Sequence, residues 1–536
     1  MLRITIAALS LGLLFTLRGP PTTYVPVPAA PTAAERLETA RRFLLDRGED
    51  LTGFTARQVM IEHEKPVLYL QKTLGPEGLV KRLEREELPL FYWQVHLSRP
   101  GDQRQYWVRV TLKGSVGAFS TKLPETDAGQ RPGVDPARSR ARAFLAERFS
   151  LAGWKEVEAA TTVLPGRTDH RFVFARELDR LENAQERVSV TVQGGRIGGY
   201  RNWVKVPETH DLEQSAEETY ADALFWTSVT ADVLLVLAAA AVLLVGCTRG
   251  TLPGTAPARA ALLVFVTLLI TIVNYAPVTL AKEYSPEKPL IAFLGSQLLF
   301  LALLGAIPAV GTFLMLAAGE IEDGQTGSAS RVESFRRWLD GRWADPLVRR
   351  SMGLGLLMGV ALGGGEAIFY HIGQLTGTVT LPVGPRYVNT MGTWLPFLFP
   401  LSIGIGAGIT EECTFRLFAT TFLSRKVPRS LALLVPAMAW AFAHSKESVY
   451  PVWARGSELV IGGVLLGWFF LSSDLLAVIT AHYLYDVVTF GWAMLGSSDP
   501  VAVAGTVLCL GVVVVPGALG LKEMGPVPCT SHRSSS

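Results

Sequence analysis

Charge is scarce in this chain: Asp, Glu, Lys and Arg make up only 18% of its 536 residues and sum to a net +3. So small an excess gives no reason to expect a nucleic-acid partner. Cysteine is rarer still, at four, and none lies between residues 35 and 220, so neither a disulfide framework nor a cysteine metal site holds that stretch together. The His-Glu-x-x-His zinc motif is missing, and so is a Gly-x-Ser-x-Gly nucleophile elbow within an apolar segment. Apolar side chains are abundant instead. Hydrophobic residues reach 49% and mean hydropathy is +0.29, which places the chain among membrane proteins.

The two solvents are separated along the chain, because residues 35 to 220 read as ordinary soluble protein while most of residues 223 to 520 is apolar. Arg3 precedes an apolar run from Ile4 to Leu17 that Arg18 closes, which suits a signal anchor over residues 1–20; cleavage near Ala29 and Ala30 is the alternative. Nine further apolar stretches follow, at about 225 to 247, 260 to 280, 290 to 317, 352 to 372, 394 to 423, 430 to 444, 457 to 472, 475 to 494 and 501 to 519. With a cytoplasmic N-terminus, loops placed inside carry Arg249, Arg259, Arg331, Arg336, Arg337, Arg342, Arg349, Arg350, Arg425, Lys426 and Arg429, and the tail at 521–536 adds Lys522 and Arg533. Loops placed outside carry Lys282, Lys288, Arg386, Lys446 and Arg455. That bias predicts a multi-pass protein of the inner (plasma) membrane with residues 20–222 extracytoplasmic.

The exported segment contains a repeat. Arg42 to Arg47 reads Arg-Phe-Leu-Leu-Asp-Arg and Arg142 onward reads Arg-Ala-Phe-Leu-Ala-Glu-Arg; each leads to a Leu-x-Gly-aromatic element, at Leu51, Gly53 and Phe54 or at Leu151, Gly153 and Trp154. Alternating Val108, Val110 and Leu112 in the first copy answer Val188, Val190 and Val192 in the second. Each copy, 35–126 and 135–210, is expected to be one amphipathic helix followed by a small antiparallel sheet, an α+β unit. Its histidines, His63, His96, His170 and His210, are scattered and read as solvated or hydrogen-bonded side chains. The expected use is binding or gating, with no ligand named.

Ionisable side chains in the apolar half are expensive, at about 2.5 to 3.5 kcal/mol each near a helix centre. Three groups stand out there: Glu411, Glu412 and Arg416; Trp440 to His444; and His482 with Asp486. Glu412 and Arg416 share a helix face, as do His482 and Asp486, so the aspartate can orient the imidazole. Glu411 precedes Arg425 by fourteen residues and His444 follows Arg429 by fifteen, so at about 1.5 Å per residue both lie roughly 21 to 22 Å from one membrane face. His482 and Asp486 lie about 12 to 18 Å beyond Asp474. All fall in one layer. Glu366 is a further intramembrane acid, expected either to pair with His371 or to line a substrate path. Gly404, Gly406 and Gly408 suit close helix packing. The segment 320 to 350 reads either as a basic amphipathic stretch on the inner membrane face or as a solvated linker.

Residues 394 to 494 resemble the CPBP family of intramembrane proteases, which includes CAAX prenyl endopeptidases and bacteriocin-processing (Abi-like) enzymes. Its Glu-Glu-x-x-x-Arg motif is matched by Glu411, Glu412 and Arg416, and its His-x-x-x-Asn/Asp motif by His482 and Asp486. Its Phe-x-x-x-His motif keeps His444 but has Trp440 in place of Phe, and Ser448 stands where CAAX endopeptidases have Asn, so a CAAX substrate is not implied. The fold class expected is an all-α polytopic membrane helical bundle, with accessory helices and a cytoplasmic loop over 223–350 and the family-like catalytic part over 351–520, preceded by the exported α+β domain of two tandem repeats. The resemblance implies an endopeptidase that works without a cofactor, acting on a protein or peptide substrate that is membrane-embedded or lipidated. Glu411 and His444 would activate water; His482 and Asp486 would support the oxyanion side. Zinc held by Glu and His stays open as a competing mechanism. A non-catalytic receptor or immunity-type scaffold is the alternative class.

Overall fold

A computed structural model describes residues 31–85, 89–178, 181, 183–251, 254–326, 330–384 and 388–524. The expected anchor at 1–20 and the tail beyond 524 lie outside the described residues.

The first helix, α1 (Ala33–Asp46), starts on a capping box: Thr32 Oγ1 accepts from Glu35 N at 3.2 Å and Glu35 Oε2 accepts from Thr32 N at 2.7 Å. Four strands follow, β1 (Thr55–Glu62), β2 (Phe91–Ser98), β3 (Gln105–Val110) and β4 (Val116–Lys122), with helix α2 (Glu64–Glu84) inserted between the first two. A second helix-and-four-strand set runs through α3 (Val134–Ala146), β5 (Lys155–Val163), β6 (Thr168–Glu177), β7 (Gln185–Gln193) and β8 (Arg196–Lys205). All eight strands form one antiparallel sheet in the order β1-β2-β3-β4-β8-β7-β6-β5. The two sets join through β4 and β8, at Phe119↔Tyr200 and Ser120↔Gly199. Val108, Val110, Val188, Val190 and Val192 are fully buried, as their alternation predicts.

One expectation needs correction. The first set holds a second helix, α2, where one helix and a sheet were expected. Its sequence hides it, because Gly75 (φ +73) and Pro76 sit mid-helix and read as a turn.

Among the described residues beyond the sheet, seven helices are long and apolar enough to cross a membrane, which makes this a multi-pass membrane protein. They are α4 (Glu208–Thr248), α5 (Ala256–Asn274), α7 (Leu290–Gly324), α9 (Pro346–Leu375), α13 (Trp453–Ser472), α14 (Leu475–Leu495) and α15 (Pro500–Glu523), with short α6 (Ala276–Glu283) and α8 (Glu333–Leu339) between them. The stretch at 394 to 423 is divided: α10 (Leu398–Glu411) passes into a π-helical segment (Glu412–Thr420) and a last turn, α11 (Thr421–Ser424). Helix α12 (Arg429–Phe442) has only 14 residues.

The segment 320 to 350 carries a short helix whose Phe335 faces the bundle while Trp343, beyond its end, is exposed. Phe335 is fully buried in the bundle core, and the arginines pair with carboxylates: Arg331 with Asp323 at 2.8 Å, Arg336 with Glu320 at 2.8 Å and Arg337 with Asp345 at 3.0 Å. Acids at the end of α7 and the start of α9 hold these cations, so few are left for lipid.

The sheet docks on the bundle through its edge. Asn389 accepts from Met60 N at 2.8 Å and donates to Met60 O at 3.1 Å, covering open backbone groups of β1. Val59 packs with Val278 and Ala281 of α6. Helix α4, 41 residues without a break, runs from this interface into the membrane part.

Candidate active site

The π segment brings the first motif together. Nine residues at a wider turn leave side chains from Glu412 through Thr420 all buried, and Thr420 Oγ1 donates to Phe415 O at 2.8 Å, one residue wider than the α-helical back-bond. Such segments recur at functional sites. Glu411 and Glu412 sit at the α-to-π junction and diverge. The Glu412 side chain is 0% exposed; its Oε1 lies 3.2 Å from Arg416 Nη1 and accepts from His482 Nδ1 at 2.7 Å. The Glu411 side chain stays 23% exposed and accepts from the Trp440 indole N–H.

His482 Nε2 then faces two more carboxyl oxygens, Glu411 Oε2 and Asp486 Oδ2, each at 3.7 Å. The orienting contact on this ring is therefore Glu412 at Nδ1. Asp486, expected to orient the imidazole, stands outside hydrogen-bond distance on the other nitrogen. A carboxylate only accepts, so Nδ1 carries a proton; in the imidazolium form Nε2 also donates, into the space between Glu411 and Asp486.

Trp440 is the hinge of the site. Its ring takes the Arg416 guanidinium at 4.3 Å and meets His482 edge-on at 5.8 Å. His444, half-buried past the end of α12, joins through it: Nδ1 pairs with Trp440 O at 3.0 Å and the rings lie 5.5 Å apart. Among the described residues no hydrogen bond links His444 directly to Glu411. Of the three glycines expected to allow close packing, Gly404 does so, since a Cβ there would meet Tyr483 Cδ2 at 2.8 Å, whereas a Cβ on Gly406 or Gly408 would make only ordinary contacts.

Beside His482 lies a cavity of about 90 Å³ whose walls include Leu362, Phe369, Leu459 and Leu466, with Trp440, Glu366, Glu458 and Tyr485 also lining it. Ile461 and Leu465, on the same lining, are exposed on the bundle's outer face. Glu366 pairs with Arg455 at 3.6 Å, so the expected His371 partner is replaced; five residues apart on one helix, the two point to different sides. Arg455 itself was expected in an outer loop. It is buried in α13, held by Glu458 at 2.6 Å and Glu447 at 2.8 Å, with Tyr485 Oη at 3.3 Å from its Nη1. This network escaped sequence reading because Arg455 and Glu458 fall at the edge of an apolar run and pass for loop residues. Asp232 of α4, within electrostatic reach of Glu411, was also missed, although it is the one acid in an otherwise apolar stretch from 223 to 247. Among the described residues no group of three or more His, Cys, Asp and Glu side chains is arranged to hold a metal ion.

Three carboxyl groups, an arginine and two histidines, most of them buried, thus gather beside a largely apolar cavity within the helical bundle. Residues 393–488 match the family described as type II CAAX prenyl endopeptidase Rce1-like, and the segment contains all six motif residues. That match implies an intramembrane protease with protein substrates. No curated protein and no solved structure gives a significant match to the chain.

Proposed function

We propose that the bundle over 351–520 is an intramembrane endopeptidase in which Glu411 and His444 activate water and His482 with Asp486 supports the oxyanion side. The observation that carries this reading is the position of His482, which lines the cavity and has its Nε2 3.7 Å from both Glu411 and Asp486. Glu411, less buried than Glu412, takes the proton from water as the oxygen attacks the peptide carbonyl carbon. The carbonyl oxygen gains the charge and accepts from His482 Nε2. The proton on Glu411 passes to the departing amine, and the C–N bond breaks. Glu412 and Arg416 position this machinery by fixing His482 and Trp440. Asp486, 3.7 Å from the same nitrogen, favours the imidazolium by its charge, while Glu412 fixes the ring's orientation. The exposed Ile461 and Leu465 suit a substrate that enters from the lipid, membrane-embedded or lipidated.

In the same reading the eight-stranded sheet is two fused tandem repeats on the extracytoplasmic side of the inner membrane. The arginines at the opposite end of the bundle, Arg331 to Arg350 and Arg425, favour the cytoplasm. With Arg455 buried among carboxylates, the outer loops are poorer still in free positive charge.

The test compares new peptide N-termini in host membranes that contain the unaltered protein or Glu411→Gln at matched levels. The variant keeps the side chain's shape and removes the base, so termini present only with the unaltered protein are the expected outcome. Identical sets of termini with an unchanged phenotype point to the scaffold class instead.

A further inference from the structure

Strands β4 and β8 share two registered residue pairs. On the first-half side of that seam lies a cavity of about 210 Å³, lined by Tyr92, Arg109, Thr111, Ser115, Gly117 and Asn202 among others. Benzene occupies an engineered cavity of about 150 Å³, so this one has room for a somewhat larger molecule. Apolar wall comes from Leu83, Phe91 and Leu112.

Arg109 dominates its chemistry. The guanidinium sits 4.4 Å over the Tyr92 ring, and its Nη1 is buried without a hydrogen-bond partner. Among the described residues no carboxylate forms an ion pair with it, and the charged group that does reach it, Arg201, has the same sign. His63, outside the lining, pairs with Tyr92 Oη at 3.0 Å. Burial, then Arg109 and Arg201, push the His63 imidazole down to about 4, so the pocket's positive field is felt by a neighbouring base. A part-buried cation with no carboxylate paired to it among the described residues is costly, and it favours the gain of an anion there.

We propose that this cavity binds a small organic carboxylate, its charged end on Arg109 and Asn202 and its apolar body against Phe91 and Leu112. Planar guanidinium and carboxylate match in two parallel hydrogen bonds, and the side amide of Asn202 supplies a further donor. The apolar wall favours an organic acid over a bare inorganic ion. The site lies on residues unique to the first half: in the repeat alignment Ser189 stands where Arg109 stands, so the second half lacks its anchor.

Benzoate is the probe, titrated by calorimetry into the full chain in detergent, with uncharged benzamide and inorganic phosphate in parallel. Saturable one-site binding of benzoate is expected, at least tenfold tighter than benzamide or phosphate, and weakened at least tenfold by Arg109→Met. Asn202→Ala, on a different strand, weakens it too and serves if the arginine variant does not fold. The titration midpoint of His63, followed by NMR, rises when benzoate is bound, because the bound charge offsets Arg109 and Arg201. Absence of saturable benzoate binding, equal binding of benzamide, or benzoate binding indifferent to both variants would overturn the assignment; phosphate binding more tightly than benzoate would overturn the carboxylate class. None of these readouts involves proteolysis, so they stand apart from the reading of the membrane site.

Discussion

Two neighbouring glutamates divide one site between structure and chemistry. Glu412 is fully buried and tied to Arg416 and His482, so removing its charge strands a buried arginine and costs roughly 3 to 5 kcal/mol. Glu411 is partly open, with one neutral donor. Glu412→Gln is therefore expected to lower the unfolding temperature in detergent sharply, whereas Glu411→Gln leaves it nearly unchanged and reduces cleavage by roughly 10² to 10⁴-fold. Thermal unfolding and cleavage assays on both variants check this; the opposite pattern would reverse the roles assigned to them. The motif residues were legible in the sequence because each charge inside an apolar run demands a partner. Arg455 was not, since it and Glu458, one turn on, pass for loop residues at the edge of an apolar run, and Glu366 reaches it from another helix. Trp440 was legible as a departure from Phe but not as a donor to Glu411, which depends on where α12 stops.

At the scale of elements, close packing and burial make the sharpest demands. Gly355 and Gly359 of α9 lie against α14, where a Cβ would come within 2.5 Å of Ala477 O and 2.8 Å of Ala481 O. Gly355→Val is expected to push the helix bearing His482 away from α9, lowering thermal stability and cleavage together. Gly355→Ala has a smaller effect of the same sign, and a cleavage assay paired with unfolding curves measures both. In the sheet, His63 and His96 are held near 4 chiefly by burial, below the ordinary 6.5 of an unfolded chain. The unfolded state thus binds more protons between about pH 6.5 and 4, and stability falls as pH drops through that window, by on the order of 3 kcal/mol per histidine at most. Near-UV circular dichroism during thermal unfolding should show the sheet losing stability on acidification, and His96→Gln should flatten that slope. The apolar period made the membrane helices and the valine-rich strands readable. It did not reveal the π segment, whose extra residue per turn is selected by what Glu411 and Glu412 must reach, nor α2, whose Gly75 and Pro76 imitate a turn.

Across the whole molecule, two solvents meet at one interface built from polar side chains on backbone. Asn389 covers Met60, Gln71 donates to Leu381 O at 2.9 Å and accepts from Val383 N at 2.8 Å, and Tyr450 donates to Glu64 at 3.0 Å. Asn389→Ala frees the Met60 amide and carbonyl, so hydrogen exchange at Met60 is expected to speed up while the amides of β7, in the middle of the second half of the sheet, keep their protection. Unchanged exchange at Met60 would mean the edge is protected some other way. This docking was beyond sequence reading, because its partners lie more than 300 residues apart and none is charged except Glu64.

Helix α4 connects these regions as a single rod of about 61 Å at 1.5 Å per residue. Near its start His210 pairs with Lys65 O at 3.1 Å; further along, Glu217 accepts from Val452 N at 2.9 Å and Ala221 O accepts from Ser445 beside His444; Ser228 then meets Ala439 O, next to Trp440, and Asp232 comes within reach of Glu411. Such a rod has the mechanics of a lever. A tilt of the sheet by about 2° about the start of the helix displaces Ala221, about 20 Å along, by about 0.7 Å and Asp232, about 36 Å along, by about 1.3 Å. Along one unbroken helix the same tilt therefore shifts the Ser445 contact beside His444 less than it shifts the acid facing Glu411.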